Sequence, residues 1–364
     1  MKASLQLLRQ CLAPLYDARE VTAISRLLIE EVCGLSYTQM ILQPDLVLPD
    51  DQRARLAACA QRLAMGEPVQ QVLGFAWFRG RRFAINPHVL IPRPETAELV
   101  DAVVDIFVNN PRDNSSVGVD KGVDNTSCTP MDNPLDKSVD KGMEKSNHAS
   151  LGVSPAVVDN PLDNSLDNSV DKGVHNPVYN LLDVGTGSGC IALSLAADIH
   201  PSFITAVDLS TEALITAKEN AKSLDINNVR FVQADILKEE TSDFSTELST
   251  LPDPLSGASV PALYDAIVSN PPYICRQEAV DMLPNVLEHE PHLALFVPDD
   301  DPLLFYRAIA RYALRHLRRG GYLCFEINAA YGAETCVLLE QLGFHDVTLH
   351  RDMQERPRMV FAIR

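Results

Sequence analysis

Apolar residues recur at helical spacing from about Leu5 to Met65. Ile24, Leu27, Leu28 and Val32 fall on one stripe, and Leu56, Cys59 and Leu63 on another. The pattern predicts a bundle of four or five helices over 1–73, with Asp50 and Asp51 placed to cap the helix that follows them. From Glu67 through Trp77 and Phe78, short apolar runs around Gly80 read as a hairpin. Pro92 and Pro94 then fix an extended segment at Arg93, and Glu95-Thr96 opens a linker helix from Ala97 to about Phe107. In the second half the runs become brief, apolar and bounded by turn residues: Tyr179 to Val184, Ile204 to Val207, Val229 to Gln233 and Ala266 to Val268. Runs of this kind suit parallel strands covered on both faces. A helix from about Pro302 to Leu317, the strand Tyr322 to Ile327, a last helix and the strand Met359 to Ile363 complete an α/β, Rossmann-like sheet over 179–364.

Between 109 and 178 the pattern stops. Short units repeat at 119–125, 132–142 and 159–165, with few aromatic residues and no sustained apolar period, so this stretch is expected to be a disordered low-complexity insertion. A second polar stretch, Thr241 to Ser259, reads as a further loop insertion. The domain order is therefore a helical domain at 1–73, a hairpin and linker helix at 74–108, the insertion, and a catalytic domain at 179–364. No run of eighteen or more apolar residues occurs in the 364-residue chain, and no signal-like amino terminus is seen, which predicts a cytoplasmic protein. The 31 basic and 49 acidic residues give a net charge of −18, which argues against a broad duplex-DNA-binding face. Eight cysteines without paired spacing, and His289 and His292 without a third ligand, predict no metal site.

The chemistry gathers at four strand ends. Asp183 precedes a turn of Gly185, Thr186, Gly187, Ser188 and Gly189, and a helix expected to begin at Cys190 leaves N–H groups free at its start. The glycine spacing is not that of dinucleotide sites, and an acidic side chain ahead of the turn disfavours a pyrophosphate. A cationic, phosphate-free ligand such as S-adenosylmethionine fits better. Asp208, nineteen residues beyond Gly189, is placed to accept ribose hydroxyls, while Asp235 and Ile236 are placed for the edge and face of an adenine. The fourth strand ends at Asn270-Pro271-Pro272-Tyr273. The prolines stop the strand. The Asn270 side-chain carbonyl and the Pro271 backbone carbonyl can each accept an N–H of a planar amide-like NH2, with Tyr273 available to stack on it. That is catalysis by positioning, with no general base required.

These residues resemble the protein-glutamine N5-methyltransferases of the HemK/PrmC type, which modify class 1 peptide-chain release factors. The resemblance rests on Gly74, Asn86 to Thr96, Leu182 to Leu193, Asp208, Ser269 to Ile274 and Glu290-Pro291, and it covers nearly the whole chain outside the insertion. It implies a class I S-adenosylmethionine-dependent methyltransferase, with the glutamine of a Gly-Gly-Gln loop held at Asn270 to Tyr273, and it implies a release factor as partner. Arg93 and Glu95, at the end of a stiff loop, are candidate substrate contacts. A monomer is expected, with no direct nucleic-acid partner. The sister enzymes acting on ribosomal protein L3, and DNA adenine-N6 methyltransferases, use a similar turn and stand as alternatives; a dehydrogenase or a pocket-bearing binding module fits the glycine spacing and the intact Asn270 less well. Two departures from the family pattern are Glu326-Ile327-Asn328-Ala329-Ala330 and the glycine-free Gln354 to Arg358, neither of which is expected to touch the four strand-end motifs.

Overall fold

The computed structural model describes residues 1–109, 178–238 and 263–364. The low-complexity segment, apart from its end residues, and the polar stretch at 241–259 lie outside the described residues.

The amino-terminal helices are α1 (Lys2–Leu12), α2 (Ala18–Cys33), α3 (Tyr37–Leu42), α4 (Asp50–Ala64) and α5 (Val69–Leu73). They enclose a core of their own, in which Leu8, Leu12, Leu28, Ile29, Leu56 and Leu63 are fully buried. At roughly 1.5–3 kcal/mol for each such side chain, this core is enough to hold short helices that are marginal in isolation. Asp17 and Ser36 cap α2 and α3 through capping boxes. Asp50 and Asp51 do not cap α4. Its N-cap is Pro49, and the two carboxylates lie in the first helical turn, where they face the positive end of the helix dipole. The stretch expected to begin a hairpin at Glu67 instead forms α5, and the hairpin is β1 (Phe75–Phe78) and β2 (Arg81–Ala84), with Arg79 and Gly80 both at positive φ in the turn.

The linker helix α6 (Pro94–Val104) begins at Pro94, three residues earlier than the pattern suggests, because proline is well suited to a helix start. Then come β3 (Tyr179–Val184), α7 (Cys190–Asp198), β4 (Ser202–Asp208), α8 (Thr211–Ser223), β5 (Val229–Gln233) and β6 (Tyr264–Ser269). After these come β7 (Ile274–Cys275), α9 (Pro284–His289), α10 (His292–Leu295), β8 (Phe296–Val297), α11 (Leu304–His316), β9 (Leu317–Glu326), α12 (Gly332–Leu342), β10 (His345–Arg351) and β11 (Pro357–Ile363). The main sheet has seven strands in the order β10-β11-β9-β6-β3-β4-β5. The β3, β4, β5, β6 and β9 strands run parallel, and β11 is antiparallel to both neighbours.

One apolar layer, with Leu99, Val100, Leu193 and Leu195, covers one face of the sheet; another, with Tyr306, Ile309, Tyr312 and Leu339, covers the other. The strand at β10 left no periodic signal. It is an edge strand whose residues are mostly exposed, so no buried face imposes alternation. The hairpin is tied to the sheet domain by Arg79 and Arg81, which pair with Asp198, and by Asn220, whose side chain bonds both the N–H and the carbonyl of Ala84. Chain order reverses between β3 and β6, which opens a crevice at their carboxyl ends.

Candidate active site

A cavity of about 290 Å³ occupies that crevice. Four strand ends build its inner wall: Val184, Gly185 and Gly187 after β3; Asp208, Leu209 and Ser210 after β4; Ala234, Asp235 and Ile236 after β5; Ser269, Asn270, Pro271 and Pro272 after β6. The outer wall comes from His88 to Leu90, Pro291, Leu293 and Ala294, with Phe305 and Ile309 from α11. Among the described residues, no Lys or Arg lines it.

The glycine turn is closed on itself. Gly185 and Thr186 donate their backbone N–H groups to the Val207 carbonyl, Gly187 donates to Asp208 Oδ2 at 2.8 Å, and Gly189 donates to the Thr186 carbonyl. These groups are therefore not free to cradle a phosphate. Together with the absence of a cationic side chain in the wall, this makes the cleft unsuited to a pyrophosphate and suited to a nucleoside without one.

Asp183 is completely buried and does not line the cavity. Its Oδ2 accepts from Thr186 Oγ1 at 2.6 Å and from the Ala192 N–H at 3.1 Å, so it braces the turn and the first turn of α7 from beneath. This also removes one of the helix-start N–H groups expected to be free. Burial pushes its carboxyl up to about 7, against those two hydrogen bonds. Thr186, Ser188 and Gly189 likewise stand behind the wall. Asp208 Oδ1 accepts from the Ser210 N–H at 2.9 Å, so its carboxylate joins the glycine turn to the start of α8 and keeps lone pairs toward the cavity. Burial raises its pKa. Asp235 Oδ1 accepts from the Leu237 N–H at 3.0 Å and also forms part of the cavity wall.

Ser269 anchors the end of β6 by donating to the Val184 carbonyl at 2.6 Å. Asn270 Nδ2 lies 3.1 Å from Thr96 Oγ1, which donates to Glu326 Oε2 at 2.7 Å; Tyr273 Oη donates to Glu326 Oε1 at 3.2 Å. Tyr273 is thus turned into the protein. Its ring packs against the apolar layer beside Tyr306 and does not line the cavity, so it is not placed to stack on a substrate in this structure. Asn328 donates to the Tyr273 carbonyl at 3.1 Å and to the Glu278 carboxylate. Both Glu326 and Asn328 therefore reach the Asn270-to-Tyr273 turn, contrary to the expectation that the 326–330 departure is remote from it. Thr96 and Glu326 were not read as site residues because the bonds that join them to the turn are remote in sequence, 174 residues between Asn270 and Thr96 and 230 between Thr96 and Glu326.

Arg93 and Glu95 are not in the cavity wall. Arg93 pairs with Glu290, whose side chain is 1% exposed, and Glu290 also accepts from the Ile91 N–H. The pair fastens the 88–94 loop to the segment before α10, and both segments supply the outer wall. Arg93 also lines a second cavity, beside Trp77, Gln70 and Leu73. His289 and His292 lie in α9 and α10, and no group of three or more metal-binding side chains occurs among the described residues.

A cleft suited to a phosphate-free nucleoside, with an Asn-Pro-Pro turn in its wall, fits an S-adenosylmethionine-dependent methyltransferase acting on an NH2 group, and the chain is an S-adenosylmethionine-dependent methyltransferase. Comparison with known proteins narrows the class. The family described as "PrmC N-terminal domain" matches residues 5–74, and a "Methyltransferase domain" family matches residues 175–328. A release factor glutamine methyltransferase of Bacteroides thetaiotaomicron is 34% identical over 357 residues, covering 98% of both chains. Its counterpart in Flavobacterium psychrophilum is 32% identical, covering 96% of this chain and 94% of its own. One from Lactococcus lactis is 28% identical over 98% of both. The protein belongs to the release factor glutamine methyltransferase family.

Proposed function

We propose that this protein methylates the side-chain amide nitrogen (N5) of the glutamine in the Gly-Gly-Gln loop of a class 1 peptide-chain release factor. The observation that carries the reading is the Asn270-Pro271-Pro272 wall, which meets the Asp208 and Gly187 wall across a single cleft. An amide nitrogen has its lone pair delocalised and attacks poorly. Asn270 Oδ1 and the Pro271 carbonyl each accept one of its N–H groups, which favours a more pyramidal nitrogen and aims its lone pair into the cleft. Asp208 and Asp235 hold the polar edges of the cofactor nucleoside, and Ile236 and Phe305 cover its flat faces. S-adenosylmethionine supplies a methyl group on a sulfonium, whose positive charge suits an acidic cleft. With S-adenosylmethionine held by Asp208, Asp235 and Ile236, its sulfonium would give up the methyl to the nitrogen that Asn270 and Pro271 hold, the sulfur keeping the S–C electron pair, and one of the two held protons would pass to water. The apolar outer wall from Leu293 and Ala294 limits access of water to the sulfonium.

A translation factor as substrate supports a cytoplasmic site of action, and among the described residues no helix is long and apolar enough to cross a membrane.

The test is transfer of labelled methyl to purified release factor, ribosomal protein L3 and unmethylated duplex DNA side by side, with the modified residue located by mass spectrometry. Label on the release-factor glutamine is expected; label on L3 or DNA instead would refute the substrate. Asn270→Ala should lower turnover about 10²–10³-fold, as for loss of one preorganised polar contact, with cofactor affinity nearly unchanged in calorimetry.

A further inference from the structure

We propose that Thr96 and Glu326 form a positioning pair that holds the Asn270 amide one way round, with Nδ2 turned back to the protein and Oδ1 presented to the substrate nitrogen. The inference deepens the reading of Asn270 given above and rests on it.

The direction follows from counting protons. An ionised carboxylate only accepts. Glu326 is 1% exposed and has two donors, Thr96 Oγ1 at 2.7 Å and Tyr273 Oη at 3.2 Å. The single hydroxyl proton of Thr96 is therefore committed to Glu326. Toward Asn270, 3.1 Å away, Thr96 has only a lone pair to offer, so the atom facing it must be the Asn270 NH2. The planar amide then directs Oδ1 away from Thr96. Reversal would set an N–H of Asn270 against an N–H of the substrate, donor against donor, and the nitrogen would lose one of its two acceptors.

Protonating Glu326 undoes this arrangement. A carboxylic acid donates from the oxygen that carries its proton, so the donor facing that oxygen must accept instead and turn its own proton elsewhere. When that donor is Thr96, its hydroxyl turns to Asn270 and the amide reverses. The titratable and charged groups facing Glu326 are Glu95 on α6, Cys190 on α7, Tyr273, Tyr306 on α11 and Arg358 on β11. Burial and the Glu95 charge favour its neutral form; the Thr96 and Tyr273 hydrogen bonds and the Arg358 charge favour the anion. Burial prevails and lifts Glu326 to about 6. Turnover should then be full above that pH and fall as pH drops through it.

The test compares kcat and KM of wild type, T96V, T96S and E326Q over about pH 5 to pH 8, with thermal melts to establish folding. We expect T96V to lower kcat by about 10–100-fold, the scale of a misaimed reacting group, with both KM values within about twofold. The acid limb of T96V should also move to higher pH, because the anion has lost a donor. T96S should restore kcat to within a few-fold, and E326Q should be slow and show no acid limb. Equal kcat for T96V and T96S, or an acid limb surviving in E326Q, would overturn the proposal. A wild type that leaves release factor unmethylated would count against the substrate, and not against this pair. In that case, or if T96V does not fold, side-chain NMR of the wild-type protein decides: the Asn270 NH2 resonances should titrate together with the Glu326 carboxyl, and indifference of Asn270 to Glu326 would refute the pairing.

Discussion

Two glycines in the same turn should fail in opposite ways when given a methyl group. Gly189 has φ +82, and a Cβ there would lie 3.1 Å from Leu193 Cδ1 and 3.2 Å from Ala217 Cβ. Leu193 belongs to α7 and Ala217 to α8, and both are fully buried, so the methyl would wedge two packed helices apart. The left-handed backbone costs a non-glycine residue about 1–2 kcal/mol. Overpacking a filled site adds about 1–3 kcal/mol. Gly189→Ala should therefore lose about 2–5 kcal/mol in urea titrations analysed with a common slope. Gly187 has φ +55 and nothing within 4 Å of an added Cβ, so only the backbone cost of about 1–2 kcal/mol applies. Unlike Gly189, however, Gly187 lines the cleft. Gly187→Ala should bind S-adenosylmethionine at least about tenfold more weakly, a penalty near 1.4 kcal/mol, while Gly189→Ala that remains folded should bind it nearly normally. If Gly189→Ala proved as stable as Gly187→Ala, or if the order of cofactor affinities were reversed, the division of the turn into a packed side and a ligand side would be wrong.

Three further substitutions test the supports around the cleft. Removing Arg93 strands the buried Glu290 carboxylate, so Arg93→Ala should cost up to about 3 kcal/mol. Burial already raises the Glu290 pKa against the pull of Arg93, and a protonated Glu290 needs no partner, so melts should show the larger loss at pH 8 than at pH 5. The Asp183 carboxyl titrates at about 7 in the folded chain and near 3.9 when unfolded; its contribution to stability is therefore full below about pH 4 and is lost as pH rises through about 7. Asp183→Asn should flatten the melting temperature across that window, and an unchanged slope would show that Asp183 is not the group responsible. Glu355 has φ +63 in the turn before β11. Glu355→Gly should raise stability by up to about 1 kcal/mol, and a fall in the urea midpoint would show that this turn carries no strain.

Much of this protein is decided locally. The runs around Leu182, Ala206, Val232 and Ile267 could be read as parallel strands because strands of a covered parallel sheet are apolar at most positions, and such a run shows without any alignment. The strand-end residues were legible for the same reason: glycines, Asp208, Asp235 and Asn270 each follow such a run, and parallel strands bring their carboxyl ends to one edge. The helical spacing from Leu5 to Met65 likewise survives into α1 to α4, whereas the short α5 does not announce itself, because five residues hold too little periodicity to separate a helix from a strand.

What the tertiary structure alone decided is how each of those side chains is used. Asp183 and Tyr273 stand next in sequence to cleft residues, yet one lies under the glycine turn and the other faces Glu326. Arg93, whose proline-fixed loop suggested a substrate contact, is occupied by Glu290, 197 residues away. That the Gly185, Thr186 and Gly187 N–H groups are not free for a phosphate follows from bonds to Val207 and Asp208, on the neighbouring strand. The orientation of Asn270 depends on Thr96 and Glu326, contributed by α6 and by the end of β9. Apolar periodicity is a property of one element against its core and is written along the chain; the partner of a polar group is whichever donor or acceptor the packed elements bring within about 3 Å of it, and only the assembled fold fixes that.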